Sequence, residues 1–358
     1  MDVDLAIVGA GAAGLMAAIH AGRTAPDADV VLLDGADRLG AKILISGGGR
    51  CNVTHHEVDV SAYAGSSRNA IRKVLRRFDV PETVAFFEAL GVPLRREETG
   101  KLFPTTNRAR TVLDALLDAV AVAGVEVRHP FRIETLDAVE GGFVLEGPSG
   151  RLTARRVVLA TGGQSVVQTG SDGHGYALAR ALGHSIVEPL LPALVPLCLP
   201  EAHPLSERRG VSSDARLEVR SRGKRVAAFT GSLLLTHFGL SGPVAMDISR
   251  YLLSARTDDP DATLHVTWLP DEDRASIDAW LRGALVGATP ASVLGARLPR
   301  RLAGALCELA GVSPDEPGDH VSKVARRALV DVLVDAPLPV TGPRGWPYAE
   351  VTAGGIPL

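Results

Sequence analysis

The chain is poor in the residues that mark several familiar classes of protein. Cysteine occurs three times in 358 residues, at Cys51, Cys198 and Cys307, with no Cys-x-x-Cys pair. An odd, scattered set excludes a disulfide framework and fits reduced thiols. Aromatic residues make up 4% of the chain, too few for an extended base-stacking platform. Nowhere do about eighteen uncharged apolar residues run together, so no membrane span is expected. An excess of positive charge is missing too: the net is −3, where a nucleic-acid binder usually carries a basic footprint. The amino terminus, MDVDLAIVGAGAAG, has acids where a secretory signal has basic residues, and it reads as a first strand. The expectation is a cytoplasmic globular protein, long enough for two or three domains, with no nucleic-acid or membrane partner. Its oligomeric state cannot be read.

What the chain does have is glycine at telling positions. An apolar run over residues 4–8 is followed by GAGAAG, with Gly9, Gly11 and Gly14 around Ala13, then by an Ala-rich helical stretch and by DVVLLD ending at Asp34. This is strand, glycine turn, helix, strand, with an acid twenty positions past the third glycine. Gly9 allows the tight turn, Gly11 the approach of a pyrophosphate, and Gly14 close packing of helix on strand. Amides at the helix start meet the phosphates, and Asp34 accepts from ribose hydroxyls. The unit fits a dinucleotide, and by itself leaves NAD and FAD both open.

A second signature separates them. Short alternating stretches near 132–136, 142–146 and 151–153 are divided by Gly-rich turns, the pattern of an antiparallel meander. VVLATGG then reads as a buried strand ending in Ala160, Thr161, Gly162 and Gly163. A meander followed by Ala-Thr-Gly resembles the FAD domain of glutathione-reductase-like flavoproteins, which favours FAD over NAD. That resemblance places Val127 near the adenine.

About a dozen residues after Asp34 comes KILISGGGRCN, where Ser46, Gly47, Gly48, Gly49, Arg50 and Asn52 have room to return toward the same cofactor. A glycine run costs backbone entropy and is kept mainly where the chain turns unusually or approaches another group. Lys42 and Arg50 are candidates to offset its negative charge, Arg50 by bidentate geometry if it reaches phosphate.

These stretches resemble one family, the BaiN/YhiN-type bacterial NAD(P)/FAD-dependent oxidoreductases, also called aminoacetone-oxidase-like. The matching segments are DLAIVGAGAAGLMAA, GAKILISGGGRCNVT, TGKLFPTTNRARTVLDAL, VVLATGG, TGSDGHGYALARALGH, LTHFGLSGPVAMDIS and VTAGGIPL, spread over nearly the whole chain. The family commonly has Asn near His55, an acid near Ser232 and Tyr-Pro near Val166-Val167, where this chain differs. The resemblance implies an α/β fold: a Rossmann-like FAD domain over 1–189 and 345–358, an inserted β-barrel-like domain over 190–269 and 335–344, and a helical subdomain over 270–334. It also brings Gly354 and Gly355 to the cofactor. It further implies a strand and a Gly-rich turn into a helix beyond the TAGG segment; a chain lacking them should hold flavin less tightly.

Amphipathic helices are expected in SRNAIRKVLRRF, PETVAFFEALG and RTVLDALLDAVAVAG, with TGKLFP an ordered loop. Strands are expected at 216–220, 226–229 and 233–236. No catalytic triad, carboxylate pair or metal spacing presents itself. His55 and His56 read as a solvated loop and Cys51 as packing. His237 in LTHFGLSGP and Arg50 are the candidates for substrate contact, with Lys101 beside them. In a flavoenzyme the ring carries the electrons, so few catalytic side chains are needed. The expected activity is hydride transfer between FAD and a small organic substrate, with NADH, NADPH or oxygen as redox partner. The alternatives are a flavin-binding protein or fragment without turnover, and an NAD-dependent dehydrogenase.

Overall fold

Residues 1–65 and 67–357 are described by a computed structural model, in which the chain forms two compact units. The first contains Met1–Glu188 and the residues from Gly354 onward, the second Pro189–Ala353. Leu358, the last residue of the VTAGGIPL segment, lies outside the described residues.

The first unit begins with strand β1 (Val3–Val8), helix α1 (Ala12–Thr24) and strand β2 (Val30–Leu33). All four β2 residues are buried, as a parallel strand covered on both faces requires. On α1, Leu15, Ala18, Ile19 and Gly22 turn inward at helical spacing. The chain continues with α2 (Ala41–Gly49), β3 (Thr54–His55), α3 (Arg68–Arg77), α4 (Val80–Ala89), β4 (Leu94–Arg96), β5 (Lys101–Pro104), α5 (Ala109–Val122) and β6 (Glu126–Arg128). The meander is β7 (Thr135–Val139), β8 (Gly142–Gly147) and β9 (Gly150–Leu159), and α6 (His174–Ala181) comes after it.

Six of these strands form one sheet in the order β6-β2-β1-β9-β8-β7. β2, β1 and β9 run parallel, while β7 and β8 are antiparallel additions to β9. The stretches expected as a third meander strand and a separate VVLATGG strand are thus one ten-residue strand that pairs with β8 on one edge and β1 on the other. TGKLFP is also corrected from loop to strand: β5 is the centre of a small sheet, β3-β5-β4. Its partners are two and three residues long, too short for any periodicity to announce them.

The second unit is built on a seven-stranded sheet. Its chain runs through β10 (Val187–Ala193), β11 (Leu197–Cys198), α7 (Pro204–Glu207), β12 (Ser212–Ser221), β13 (Lys224–Thr236), β14 (Gly239–Ser241) and α8 (Pro243–Asp258). It continues through β15 (Thr263–Thr267), α9 (Arg274–Ala284), α10 (Pro290–Gly295), α11 (Arg300–Leu309), α12 (Lys323–Asp335), β16 (Ala336–Leu338), β17 (Gly342–Pro343) and β18 (Val351–Gly355), whose last two residues are counted with the first unit. The sheet order is β16-β15-β12-β13-β14-β11-β17, and β10 pairs with β18. Its end strands, β16 and β17, do not pair among the described residues, so the expected barrel-like form is an open sheet. The runs at 226–229 and 233–236 merge into the thirteen-residue β13. Helix α8 is an addition to the expected elements; Gly242 with φ +87° and Pro243 at its first turn start it. Sheet and helices share one core, centred on residues such as Trp268, Leu281, Leu302 and Leu333.

Candidate functional site

The two glycine signatures meet where the sheet changes direction. From β1 the chain moves outward to β2 and β6, whereas β9 lies on the other side of β1. Such a switch point leaves a crevice beyond the carboxyl ends of the strands. Gly9 follows β1 and Ala160 follows β9; a Cβ on Gly9 would stand 2.5 Å from the Ala160 carbonyl oxygen. One on Gly14 would overlap the Gly9 carbonyl oxygen. These positions hold glycine because backbone touches backbone. Gly11 differs: its Cβ would meet no protein atom within 4 Å. It is the residue before α1, no side chain caps the helix there, and the first-turn amides of Ala12 and Ala13 border open space. Uncapped amides at a positive helix end suit a phosphate.

That space is a cavity of about 1220 Å³ inside the first unit. Pockets for drug-sized ligands usually span about 300–1,000 Å³, so a dinucleotide is accommodated. Gly9, Gly11, Ala13, Asp34, Lys42, Ser46, Asn52, Ala160, Thr161 and Gly162 all line it. Asp34 accepts from the amides of Ala10 at 2.6 Å and Ala36 at 2.8 Å, which fixes its carboxylate at the end of β2. These residues fit FAD: close-approach glycines, an uncapped helix start and the Asp34 carboxylate, a group suited to accept from ribose hydroxyls, line one cavity.

Lys42 is a half-buried cation on this wall and has no carboxylate within ion-pair distance among the described residues. Its Nζ donates to the Ser165 carbonyl at 2.8 Å, Ser165 Oγ at 3.3 Å and Ser171 Oγ at 2.9 Å. Burial holds its pKa below the ordinary lysine value. A half-buried ammonium among neutral oxygens gains from any anion placed beside it.

Sequence reasoning missed a second polar group on the wall, Arg132, Asp172 and His174. Arg132 donates to Asp172 at 2.7 Å, and the His174 amide donates to the same carboxylate at 3.0 Å. Burial alone would raise the Asp172 pKa, but these donors outweigh it and hold the acid below its usual range. The TGSDGHGYALARALGH segment contains two of the three, but their partner lies forty residues away. His20, Phe78, Phe87 and Leu116 add apolar and aromatic surface to the wall, with Arg77 next to Phe78.

The SGGG stretch ends α2 in a sharp departure from helix. Ser46 is extended, and Gly47, Gly48 and Gly49 have φ of +55°, +70° and +83°. Ser46 and Asn52 line the cavity, whereas Gly47, Gly48, Gly49 and Arg50 do not. Arg50 instead braces the loop: it pairs with Glu97 at 2.6 Å and lies 4.0 Å from the Phe103 ring centroid. Cys51, with φ +62°, is buried against the cavity. Burial pushes its thiol pKa up, opposed in part by a hydrogen bond from Ser46. His55 and His56 lie with ring centroids 4.6 Å apart beside Gly100.

Several expected residues stand elsewhere. Gly14 is beneath the turn, Val127 pairs with Leu32 in the sheet, and the Gly163 carbonyl accepts from Gly173 at 3.1 Å. Gly354 and Gly355, with φ of +95° and +120°, belong to β18, and Lys101 is exposed on β5. None of these lines the cavity. His237 belongs to the second unit, in the turn between β13 and β14, edge-on to Phe238 with centroids 5.1 Å apart. Among the described residues no three His, Cys, Asp or Glu form a metal-holding group, and no helix is long and apolar enough to cross a membrane.

Comparison with known proteins places the chain in a family and among named relatives. The family described as HI0933-like protein Rossmann domain matches residues 3–358. The chain is 32% identical over 355 residues to the 3-dehydro-bile acid delta(4,6)-reductase of Clostridium scindens, covering 98% of this chain and 86% of that one. It is 30% identical over 353 residues to the ribosomal RNA dihydrouridine synthase of Escherichia coli, covering 99% and 85%. Among solved structures, THI4 of Thermovibrio ammonificans aligns with a TM-score of 0.33 at 21% identity, over 52% of this chain and 63% of that one.

Proposed function

The chain belongs to the HI0933-like Rossmann family, the BaiN/YhiN-type group its motifs resemble, and on that premise we propose an FAD-dependent reductase that saturates a ring carbon–carbon double bond conjugated to a carbonyl. The observation that carries the reading is the convergence of Gly9, Gly11, Asp34 and Ala160–Gly162 on one cavity. The direction of the chemistry rests on the relatives. One is named a 3-dehydro-bile acid delta(4,6)-reductase and the other a ribosomal RNA dihydrouridine synthase, and we take from the two names reduction of a double bond as the shared chemistry.

When bound, FAD supplies the hydride; the protein holds, orients and shields. The α1 amides and Gly11 hold the diphosphate, and Asp34 the ribose. Lys42 offsets negative charge on the cofactor, with Ser165 and Ser171 fixing its ammonium. The apolar side chains of Phe87 and Leu116, with Phe78, offer a flat ring a surface to pack against and limit water there. NADH or NADPH is the proposed source of electrons. Of the two ring types, the nucleobase is favoured by one feature of the cavity wall: Arg77 and Phe78 sit together there, a cation and an aromatic face at the end of a basic helix. The expectation of no nucleic-acid partner rests on the chain-wide charge, which says nothing of so local a group.

The test is anaerobic: the purified protein should carry a flavin spectrum, be bleached by NADH or NADPH, and regain colour on adding a uridine-containing RNA or a conjugated steroid ketone. A protein that retains flavin but is bleached by neither nicotinamide would contradict the reductase reading.

A further inference from the structure

We infer that helix α3 is a docking track for the phosphate backbone of RNA, delivering a base to the cavity at its end. The inference rests on the reductase reading for the fate of that base, but not for the contact itself. In RNAIRKVLRR, five of ten residues are cationic and none is acidic. Arg68, Arg72 and Arg76 follow one another at i, i+4, i+8, and Lys73 and Arg77 form a second row beside them. All five are exposed. None is ion-paired with a carboxylate among the described residues; Arg72 donates only to Asn69, at 2.7 Å.

This arrangement works against the helix that bears it. Three like-charged i, i+4 pairs each cost a few tenths of a kcal/mol, about the value of a favourable pair. Arg68 also sits in the first turn, where the helix dipole disfavours a cation. An anionic polymer removes both penalties. Within a Debye length of about 8 Å the local charge governs the encounter, and the net −3 of the chain does not.

The rest of the helix selects among anionic partners. A membrane-surface helix needs an apolar face free to enter the lipid. Here Ile71 is buried in the protein and, of the helix's apolar side chains, only Val74 is largely exposed, at 65%. An acidic protein would satisfy the cations but gives no reason for an aromatic residue at the end of their row. The helix runs directly into Arg77 and Phe78, both on the cavity wall, with the Phe78 ring edge-on to His20 at 5.9 Å and Phe86 at 6.0 Å. Phosphate contacts leading to an aromatic face are what an unstacked base in single-stranded RNA uses.

The experiment measures binding of a labelled single-stranded oligouridylate by fluorescence anisotropy across a range of salt. Five phosphate contacts predict a slope of log K against log salt of about −3.5. The variant Arg68→Gln/Arg72→Gln/Lys73→Gln/Arg76→Gln changes no residue on the cavity wall. It should bind at least about tenfold more weakly with a slope near −0.7, while its flavin spectrum is kept and its Tm rises slightly as the like-charged pairs disappear. Removing Arg222, Lys224 and Arg225 as glutamines from the exposed β12–β13 hairpin should leave binding unchanged. Equal affinity in the α3 variant and the parent, or equal loss in the hairpin variant, would overturn the inference. So would α3-dependent binding of phosphatidylglycerol vesicles or polyglutamate without binding of the RNA. Absence of any flavin would instead defeat the cavity reading while leaving the anisotropy result to stand on its own.

Discussion

At the scale of single residues, the glycines of the first turn do two different jobs. Gly14 is excluded from change by the Gly9 carbonyl, so Gly14→Ala should overpack the turn and destabilise the fold by about 1–3 kcal/mol, read as a fall in Tm of the cofactor-free protein. Lys42 acts through charge. Lys42→Met keeps the stem and removes the ammonium, which should weaken FAD binding roughly thirtyfold, for a charge-assisted contact of about 2 kcal/mol. A titration followed by flavin fluorescence would show this, and unchanged affinity would remove Lys42 from the site. Cys307 illustrates a residue with no such role: it is fully buried, and burial, with help from Glu308, Asp315 and Glu316, pushes its thiol up to about 12. Its folded pKa stands above the ordinary 9, so its contribution to stability is complete below pH 9 and is lost as pH rises toward 12. The decline of Tm over that window should be shallower in Cys307→Ala than in the parent.

At the scale of elements, the SGGG loop shows how a legible motif takes a second task from the fold. The sequence places its three glycines against the cofactor, and their φ values do explain why side chains are excluded. Yet the loop presents Ser46 and Asn52 to the cavity, and the glycines serve the turn that makes this possible. Gly47→Ala would collide with the Asn52 amide at 2.7 Å and the Phe103 ring at 2.8 Å, whereas Gly48→Ala meets only its own backbone strain. The second should cost about 1–2 kcal/mol and the first distinctly more, an order that chemical denaturation of the two variants would test. Elements without strong punctuation are harder to read. β5 reads as a loop because its partners are so short, and α8 is hidden inside a stretch conspicuous only for its motif.

At the scale of the whole molecule, what can be read from sequence is what contact forces on the backbone. Gly9 beside Ala160 joins segments about 150 residues apart, and each carries its own signature because glycine and alanine have no bulkier substitute there. The Arg132–Asp172 pair, by contrast, uses ordinary surface residue types, and nothing local announces that they meet. The basic rows of α3 are visible as letters but are averaged away in a net charge. The account therefore stands on one claim, that the open space above Gly11 belongs to a diphosphate. Its most direct measurement is titration of FAD into cofactor-free parent and Gly11→Ala proteins, with Tm recorded for both. Because the added methyl meets no protein atom, the Tm should be equal or slightly higher, while FAD affinity falls at least about tenfold. Equal FAD affinity in the two proteins, or a parent that takes up no FAD at all, would contradict it.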